Sequence, residues 1–263
     1  MDIFTLEPGH APLLVSLPHD GTRIPEALAA RMTPAARAAP DTDWFVSRLY
    51  AFARELGASI LRPHHSRYVV DLNRPPDDVS LYPGQNTTGL CPDVRFTGEP
   101  VYLPEEAPDA TEIAERRERY WRPYHDALAG ELARLREHFG RVVLWDGHSI
   151  RGTLPFLFEG RLPDLNLGTA SGASCSPALQ SRLTGVLENQ RDYSHVVNGR
   201  FKGGHITRHY GAPAEGVEAI QLELAQSTYM DEDSATFLPE RARKLERTVL
   251  RPLLEAALEF AAS

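Results

Sequence analysis

The chain has 263 residues, and its 42% hydrophobic and 24% charged residues are close to the averages for folded soluble domains. Its 28 Lys and Arg against 36 Asp and Glu give a formal net charge of -8, and no basic run occurs. This balance argues against nucleic acid and anionic membrane as partners, because both are recognised through clustered Lys and Arg.

The cysteines and the N-terminal segment indicate the compartment. Cys91 and Cys175 are far apart and form no CxxC pattern, so we expect no disulfide framework. The first residues lack the basic and apolar regions of a signal peptide, and no apolar run approaches the length of a membrane span. We therefore predict a soluble, cytoplasmic protein. The sequence leaves its oligomeric state open.

Strands and helices alternate along the chain. Leu13–Leu17 is an apolar run that ends at Pro18 and predicts a strand. Between Pro75 and Pro108 lie seven prolines, which predict a long loop that we interpret as a wall over the site. The other predicted elements are a helix from Asp41 (its N-cap) to Gly57, strands over 58–61 and 68–72, a helix from Asp109 to Gly140 with a kink or break at Pro123, a strand over 141–145, a helix over 177–190, a strand around Val196, a strand over 216–224 and a helix over 238–262.

This alternation predicts the fold class. Strands that alternate with helices are typical of an α/β fold with a mainly parallel sheet flanked by helices. The sequence contains no internal repeat or low-complexity linker, so we predict a single domain over residues 1–263. Ligands of such sheets bind beyond the carboxyl ends of the strands, and we expect the site there.

His19 and His148 directly follow predicted strands, and Glu223 lies at the end of one, so we expect all three at this edge. Two histidines and a carboxylate can hold Zn²⁺ and leave an open position for water. The spacing contains no local metal-binding pattern such as HExxH. It equally allows two structural histidines that are held by hydrogen bonds.

The segment Asp71-Leu72-Asn73-Arg74 is more specific. Asn73 and Arg74 offer donors that suit a carboxylate, and Arg67 could add a second positive charge. The alternative is a surface salt bridge before a Pro-Pro turn. Other catalytic devices are absent, since the sequence has no GxSxG, no GxxxxGK[ST] and no GxGxxG after a strand.

Longer blocks of the sequence occur in an order that is typical of one family. The chain resembles the N-formylglutamate amidohydrolases over nearly its whole length, and within them the branch that acts in histidine breakdown. The blocks are Pro18–Pro25, Asp41–Trp44, Ser66–Pro75, Ser80–Asn86, Trp145–Ser149, Leu162–Gly168, Asn198–Gly204 and Gln221–Leu224.

This resemblance implies a mixed α/β sheet like that of the zinc carboxypeptidases and aspartoacylases, and one divalent metal ion, with Zn²⁺ preferred. His19 and His148 would be ligands. The relatives place a Glu three residues after the first histidine, where this chain has Thr22. Asp43 is the replacement that we favour, and Asp41 and Asp20 are the alternatives.

The resemblance also implies roles for residues around the metal. Glu223 would be the general base, and Arg208 or Arg200 would stabilise the charge on the tetrahedral intermediate. The residues expected to bind the substrate carboxylates are Arg67, Asn73, Arg74, Gln85, Arg95 and Arg200. His205 departs from the pattern, because we expect Tyr at this position.

The reaction implied is metal-dependent hydrolysis of N-formyl-L-glutamate to L-glutamate and formate, the last step of a histidine degradation route. One alternative is the same machinery acting on another N-acyl amino acid. A second alternative is a non-catalytic carboxylate-binding protein of the same fold.

Overall fold

A mixed β-sheet forms the centre of the molecule. The computed structural model describes residues 2–81 and 84–263. The strands, in chain order, are β1 (Phe4–Glu7), β2 (Leu13–Ser16), β3 (Ser59–Pro63), β4 (Val142–Ile150), β5 (Leu165–Gly168), β6 (His195–Val197) and β7 (Val217–Ala225), with β8 (Met230–Asp231) and β9 (Thr236–Phe237) forming a separate hairpin. The order in the sheet is β1-β3-β2-β4-β7-β5-β6. Only β1–β3 and β7–β5 pair antiparallel among these neighbours, so the largely parallel sheet is confirmed.

Helices cover both faces of this sheet. They are α1 (Glu26–Ala29), α2 (Pro34–Arg37), α3 (Val46–Leu49), α4 (Ala110–Arg116), α5 (Arg122–Phe139), α6 (Pro177–Asn189), α7 (His205–Tyr210), α8 (Pro239–Leu245) and α9 (Arg251–Ala261), with 3-10 turns at Ala51–Arg54, Ala170–Gly172, Pro213–Glu215 and Gln226–Thr228. None of those within the described ranges is both long and apolar enough to span a lipid bilayer.

The central strands β4 and β7 are buried along their entire length. Val143 and Trp145 pack on the face that α6 and α9 cover, whereas Val142 and Leu144 pack on the face that α5 covers. This alternation follows from the two-residue period of a strand. Since both faces are covered, apolar residues occupy successive positions, as in Val142–Trp145, and this pattern predicts a buried strand.

Prolines disturb the two long helical segments in the same way. A π-helical turn, Arg117–Trp121, joins α4 to α5 directly before Pro123. A second π turn, Glu246–Leu250, precedes Pro252. Proline has no N–H to donate and its ring clashes with the carbonyl four residues earlier, so a wider turn accommodates it. The disturbance predicted at Pro123 therefore takes the form of a π turn.

The predicted helix from Asp41 to Gly57 is wrong. Phe45 has a left-handed backbone (φ 65°), and the segment contains only α3 and a 3-10 turn. The Asp43 N–H donates to the His19 carbonyl at 3.1 Å, and the Ser47 N–H donates to Asp20 at 3.0 Å. These contacts with the segment after β2 hold residues 41–45 outside a helix.

The strand predicted over 68–72 is also wrong, because these buried residues form turns. Their N–H groups bond to nearby loops, as Asp71 does to the Leu90 carbonyl at 2.7 Å. The described part of the Pro75–Pro108 segment contains isolated bridges and no helix or strand, so the long loop is confirmed there. Tyr82 and Pro83 lie outside the described residues. His148 lies within β4 and not after it as predicted, whereas Glu223 lies near the end of β7.

Candidate metal centre and substrate pocket

His19, Asp43 and His148 meet in the interior, and all three side chains are buried. Their possible ligand atoms lie within 4.8 Å of one another. Asp43 Oδ2 is 3.0 Å from Nδ1 of His148 and 3.7 Å from Nδ1 of His19. Two imidazole nitrogens and a carboxylate oxygen form a donor set that could hold a metal ion.

Each of the three residues comes from a different part of the sheet edge. His19 lies three residues beyond β2, and Asp43 lies in the turn before α3. The hydrogen bond from the Asp43 N–H to the His19 carbonyl connects these two loops. His148 lies on β4 and is paired in register with Glu223 on the neighbouring strand β7. Parallel pairing therefore delivers a candidate ligand and a candidate base side by side.

Two further carboxylates contact Nε2 of the histidines, the outer ring nitrogen that points away from Asp43. Asp71 Oδ1 lies 2.7 Å from Nε2 of His19, and Asp146 Oδ2 lies 3.0 Å from Nε2 of His148. A carboxylate on the outer nitrogen fixes the ring orientation and leaves the other nitrogen for a metal ion. Both Nδ1 atoms thus face the space beside Asp43, and this arrangement fits a bound cation. No role was predicted for Asp71 and Asp146, although both lie within the motif blocks of the sequence.

The other acids considered as a third ligand have different partners. Asp20 accepts the N–H of Ser47 at 3.0 Å. Asp41 accepts the Tyr68 hydroxyl at 2.6 Å and the N–H of Phe96 at 2.8 Å. Among the three acids, Asp43 alone joins the group with both histidines.

Burial and charge oppose each other in this cluster. Burial raises the pKa of Asp43, but the charge of His19 and the hydrogen bond with His148 outweigh it, so the pKa lies below its ordinary value. Burial would lower the pKa of His148, yet Asp146 and Asp43 hold it well above the ordinary value. The pKa of Asp71 lies well below its ordinary value, because His19 and Arg67 outweigh burial. Asp43 and Asp71 therefore stay anionic.

Glu223 differs from these acids. It is buried, and within the described ranges no cation forms an ion pair with it. Burial raises its pKa to about 8, with the positive charge of His148 opposing this effect and Asp43 adding to it. Gln221 Nε2 donates to its carboxyl group over a long distance of 3.5 Å. A buried carboxyl group with a raised pKa beside a metal-type cluster is a candidate for proton transfer.

Arginines line the pocket that opens on this cluster. Arg67, Arg74 and Arg200 all contribute to its surface. Arg74 is held by the Thr88 carbonyl, which accepts from its Nε at 2.7 Å. Arg200 donates to the Leu157 carbonyl at 3.3 Å. Guanidinium groups bind carboxylates through paired N–H donors, so the pocket suits an anionic ligand.

Asn73 also lines the pocket, but both ends of its amide contact protein. Its Oδ1 accepts the N–H of Ile206 at 2.8 Å, and its Nδ2 donates to Asp146 Oδ2 at 3.0 Å. Nδ2 also lies 3.0 Å from Nε2 of His148. The structure therefore places Asn73 against the outer side of the His148 ring.

Arg67 lies deeper than the other arginines. Its Nη2 is 2.6 Å from Asp71, and its Nη1 is 3.6 Å from Asp43. Its guanidinium group packs over the ring of Phe96 at 4.5 Å. Arg67 is thus part of the wall beside Asp43.

Other predicted site residues lie elsewhere. Gln85 is exposed and does not line the pocket. Arg208 is exposed, donates to the Gly203 carbonyl at 2.9 Å and does not line the pocket either. Arg95 lines a neighbouring cavity and pairs with Glu99 at 3.0 Å. His205 is buried in α7, where its N–H donates to the Asn73 carbonyl at 3.2 Å.

Comparisons with known proteins identify the family of the chain. The family model for N-formylglutamate amidohydrolase matches residues 11–230. The chain is 54% identical over 259 residues to N-formylglutamate deformylase from Pseudomonas aeruginosa, covering 98% of this chain and 97% of that protein. It is 52% identical over 260 residues to N-formylglutamate deformylase from Pseudomonas putida, covering 99% and 97%.

Solved structures share the fold. A crystal structure of N-formylglutamate amidohydrolase from Ralstonia eutropha superposes with a TM-score of 0.81 at 26% identity, covering 99% of this chain and 97% of that one. A gene product from Agrobacterium tumefaciens superposes with a TM-score of 0.70 at 18% identity, covering 97% and 96%. At that identity the second likeness concerns the fold alone.

Proposed function

Because the chain belongs to the N-formylglutamate amidohydrolase family, we propose that it hydrolyses N-formyl-L-glutamate to formate and L-glutamate. The observation that carries this proposal is one pocket that joins the buried His19–Asp43–His148 group to Glu223 and to arginine side chains. The names of the two Pseudomonas relatives support the same substrate.

In this proposal His19, Asp43 and His148 hold a divalent metal ion, with Zn²⁺ as the ion that best suits two nitrogens and one oxygen. Asp71 and Asp146 support this assignment, because their carboxylates contact Nε2 of His19 and His148 and fix the orientation of both rings. When bound, such an ion acts as a Lewis acid that polarises the carbonyl group and activates water.

Glu223 is proposed as the general base. Its buried carboxyl group faces the same pocket as the histidines, and burial raises its pKa, which strengthens its affinity for a proton. It would take a proton from the attacking water and then deliver this proton to the amide nitrogen as the bond to glutamate breaks.

Arg67 is proposed to stabilise the negative charge that develops on the formyl oxygen. Its position beside Asp43 at the pocket wall supports this role, since preformed positive donors favour a charge that appears in the transition state. The exposed position of Arg208 supports giving the role to Arg67 instead.

The substrate's carboxylates would be bound by Arg74 and Arg200, which line the outer part of the pocket. A formyl group offers almost no binding surface, so the affinity must come from the carboxylates. We propose that Asn73 orients His148 and Asp146, because both ends of its amide contact protein.

Finer proposals rest on the family resemblance. They are a sheet arrangement like that of the zinc carboxypeptidases and a place at the last step of histidine degradation. A cytoplasmic location and a single domain over residues 1–263 stay predictions.

The test is formate release from N-formyl-L-glutamate by the purified protein, before and after chelator treatment and after restoration with Zn²⁺. We expect activity that the chelator abolishes and Zn²⁺ restores. N-formyl-L-norvaline, which lacks the side-chain carboxylate, is the matched control and should be a poor substrate. Absence of formate release from the metal-loaded protein would refute the proposal.

A further inference from the structure

A second cavity adjoins the candidate active site. Its volume is about 530 Å³, whereas that of the site pocket is about 70 Å³. The two share Phe96, Ser149 and Ile150 as lining residues. The ring of Phe96 is the bulkiest of the shared side chains, so it forms the main partition between a tight site and a roomier space.

The partition is held firmly in place. The Phe96 N–H donates to the buried carboxylate of Asp41 at 2.8 Å, and the same carboxylate accepts the Tyr68 hydroxyl. On one side the ring packs against the guanidinium group of Arg67. On another it belongs to a small apolar cluster with Ile150. The backbone hydrogen bond, the contact with the Arg67 guanidinium group and the apolar cluster together restrict the movement of the ring.

The position of Phe96 relative to His148 indicates which end of a substrate it meets. Asn73 lies against Nε2 of His148, and Arg74 follows it in the chain. The opposite ring nitrogen, Nδ1, faces Asp43. Arg67 links Asp43 to Phe96, because its guanidinium group lies near both. Arg67 is the group proposed to stabilise the charge on the formyl oxygen, so Phe96, which packs against it, lies beside the reacting carbonyl group.

We infer that Phe96 determines the size of the acyl group that the enzyme accepts. An amide whose amino-acid half is held by Arg74 directs the substituent of its carbonyl carbon toward this ring. A formyl group carries only hydrogen there, whereas a longer acyl chain needs the space that the ring occupies. The cavity behind it is already formed and is lined by polar and apolar side chains, among them Thr42, Arg151 and Leu154. This inference rests on the proposed function.

The test compares N-butyryl-L-glutamate with N-formyl-L-glutamate in the wild type and in Phe96→Val and Phe96→Ala. The measured quantity is the ratio of kcat/KM for the butyryl substrate to that for the formyl substrate. The intrinsic difference in reactivity between the two amides cancels when this ratio is compared among variants. We expect the ratio to rise at least about tenfold in Phe96→Val and further in Phe96→Ala, since apolar steric discrimination commonly amounts to about 10- to 200-fold.

Phe156→Ala is the matched control, because Phe156 lines the second cavity and not the site pocket. It removes the same side chain without opening the partition, so its ratio should equal that of the wild type. Circular dichroism and thermal melting establish that each variant is folded. If Phe96→Ala displaces Arg67 and loses all activity, the kcat/KM ratio of Phe96→Val alone tests the inference.

A ratio in Phe96→Val within twofold of the wild type overturns the inference. So does an equal rise in Phe156→Ala, or a wild type that cleaves both substrates equally well. Wild-type protein that releases no formate refutes the proposed function itself, which separates that failure from a failure of the inference about Phe96.

Discussion

Asp71 provides the sharpest test of how the metal group is supported. Its carboxylate is completely buried and accepts from three neighbours: Nε2 of His19 at 2.7 Å, Nη2 of Arg67 at 2.6 Å and the N–H of Asn73 at 2.9 Å. Asp71→Asn keeps the shape and removes the charge. The outer nitrogen of His19 loses its anionic partner, and Arg67 retains only Asp43, at 3.6 Å.

Two magnitudes follow from these contacts. Loss of a carboxylate behind a metal-binding histidine lowers metal affinity by about 10- to 100-fold. Removal of one partner from a buried ion pair costs about 3–5 kcal/mol, and we expect the lower end of this range because Asp43 still faces Arg67. For a chain of this length, each kcal/mol corresponds to about 2–4 °C in Tm, so the metal-free variant should melt about 6–12 °C lower.

The pH dependence has a defined sign. The pKa of Asp71 is held well below its ordinary value, so its contribution to stability is fully present above the unfolded-state pKa of about 3.9. This contribution is lost as the pH falls through the folded-state pKa. The difference in Tm between wild type and variant should therefore be constant near neutral pH and shrink under strongly acidic conditions.

The assay combines chelator competition, which gives the metal dissociation constant, with thermal melting of the metal-free protein. Asp20→Asn is the control, because Asp20 is also an acid near the cluster but accepts from the Ser47 N–H instead. We expect Asp20→Asn to bind metal like the wild type. An Asp71→Asn protein with wild-type metal affinity and a Tm within about 2 °C of the wild type would refute the supporting role.

Four further outcomes are expected. Glu223→Gln should keep its metal and lose at least about 100-fold in kcat, and near-normal turnover would remove Glu223 as the base. Arg74→Ala should raise KM for N-formyl-L-glutamate about 10- to 100-fold with a smaller change in kcat, and an unchanged KM would exclude it as a carboxylate ligand. Arg208→Ala should retain turnover in the steady-state assay; a loss of 100-fold or more would transfer the charge-stabilising role from Arg67 back to Arg208. Metal affinity measured by calorimetry should rise between pH 6 and pH 8, because the raised pKa of His148 means that a proton must leave before an ion binds, and a pH-independent affinity would contradict this.

The strands were predictable where burial is uniform. β2 and the first half of β4 are apolar runs, β7 is largely apolar, and helices cover both faces of the sheet that they form. The segment Tyr68–Leu72 has the same apolar character but forms buried turns. Apolar composition indicates that a segment is buried, but it does not indicate whether the segment forms a strand or a loop.

The helix predicted from Asp41 failed for a reason connected with the site. Apolar residues recur in this segment at helical spacing, and two of them, Leu49 and Phe52, are buried. Asp43, however, is turned toward His19 by a backbone hydrogen bond, and the left-handed Phe45 interrupts the helix just after it. Local propensity is overridden here by contacts with residues more than twenty positions away, which a single sequence does not reveal.

The candidate ligands illustrate the same limit. His19, His148 and Glu223 could be placed at one edge from the rule for parallel sheets, although two of them lie within strands. The pairing of His19 with Asp71 could not, because 52 residues separate them and neither lies in a strand. The position of Arg208 outside the pocket likewise depends on the course of α7.

The charges around the cluster explain why metal and substrate belong together. Asp43, Asp71 and Asp146 are buried, and with neutral histidines Arg67 balances only one of their three negative charges. A divalent cation balances the other two. Without the ion, protons must compensate, which agrees with the raised pKa of His148. Arg74 lies outside this balanced group, and no carboxylate in the described ranges forms an ion pair with it. A carboxylate on the substrate then supplies the anionic partner that Arg74 does not have among the described residues, so an acidic protein can select an acidic substrate.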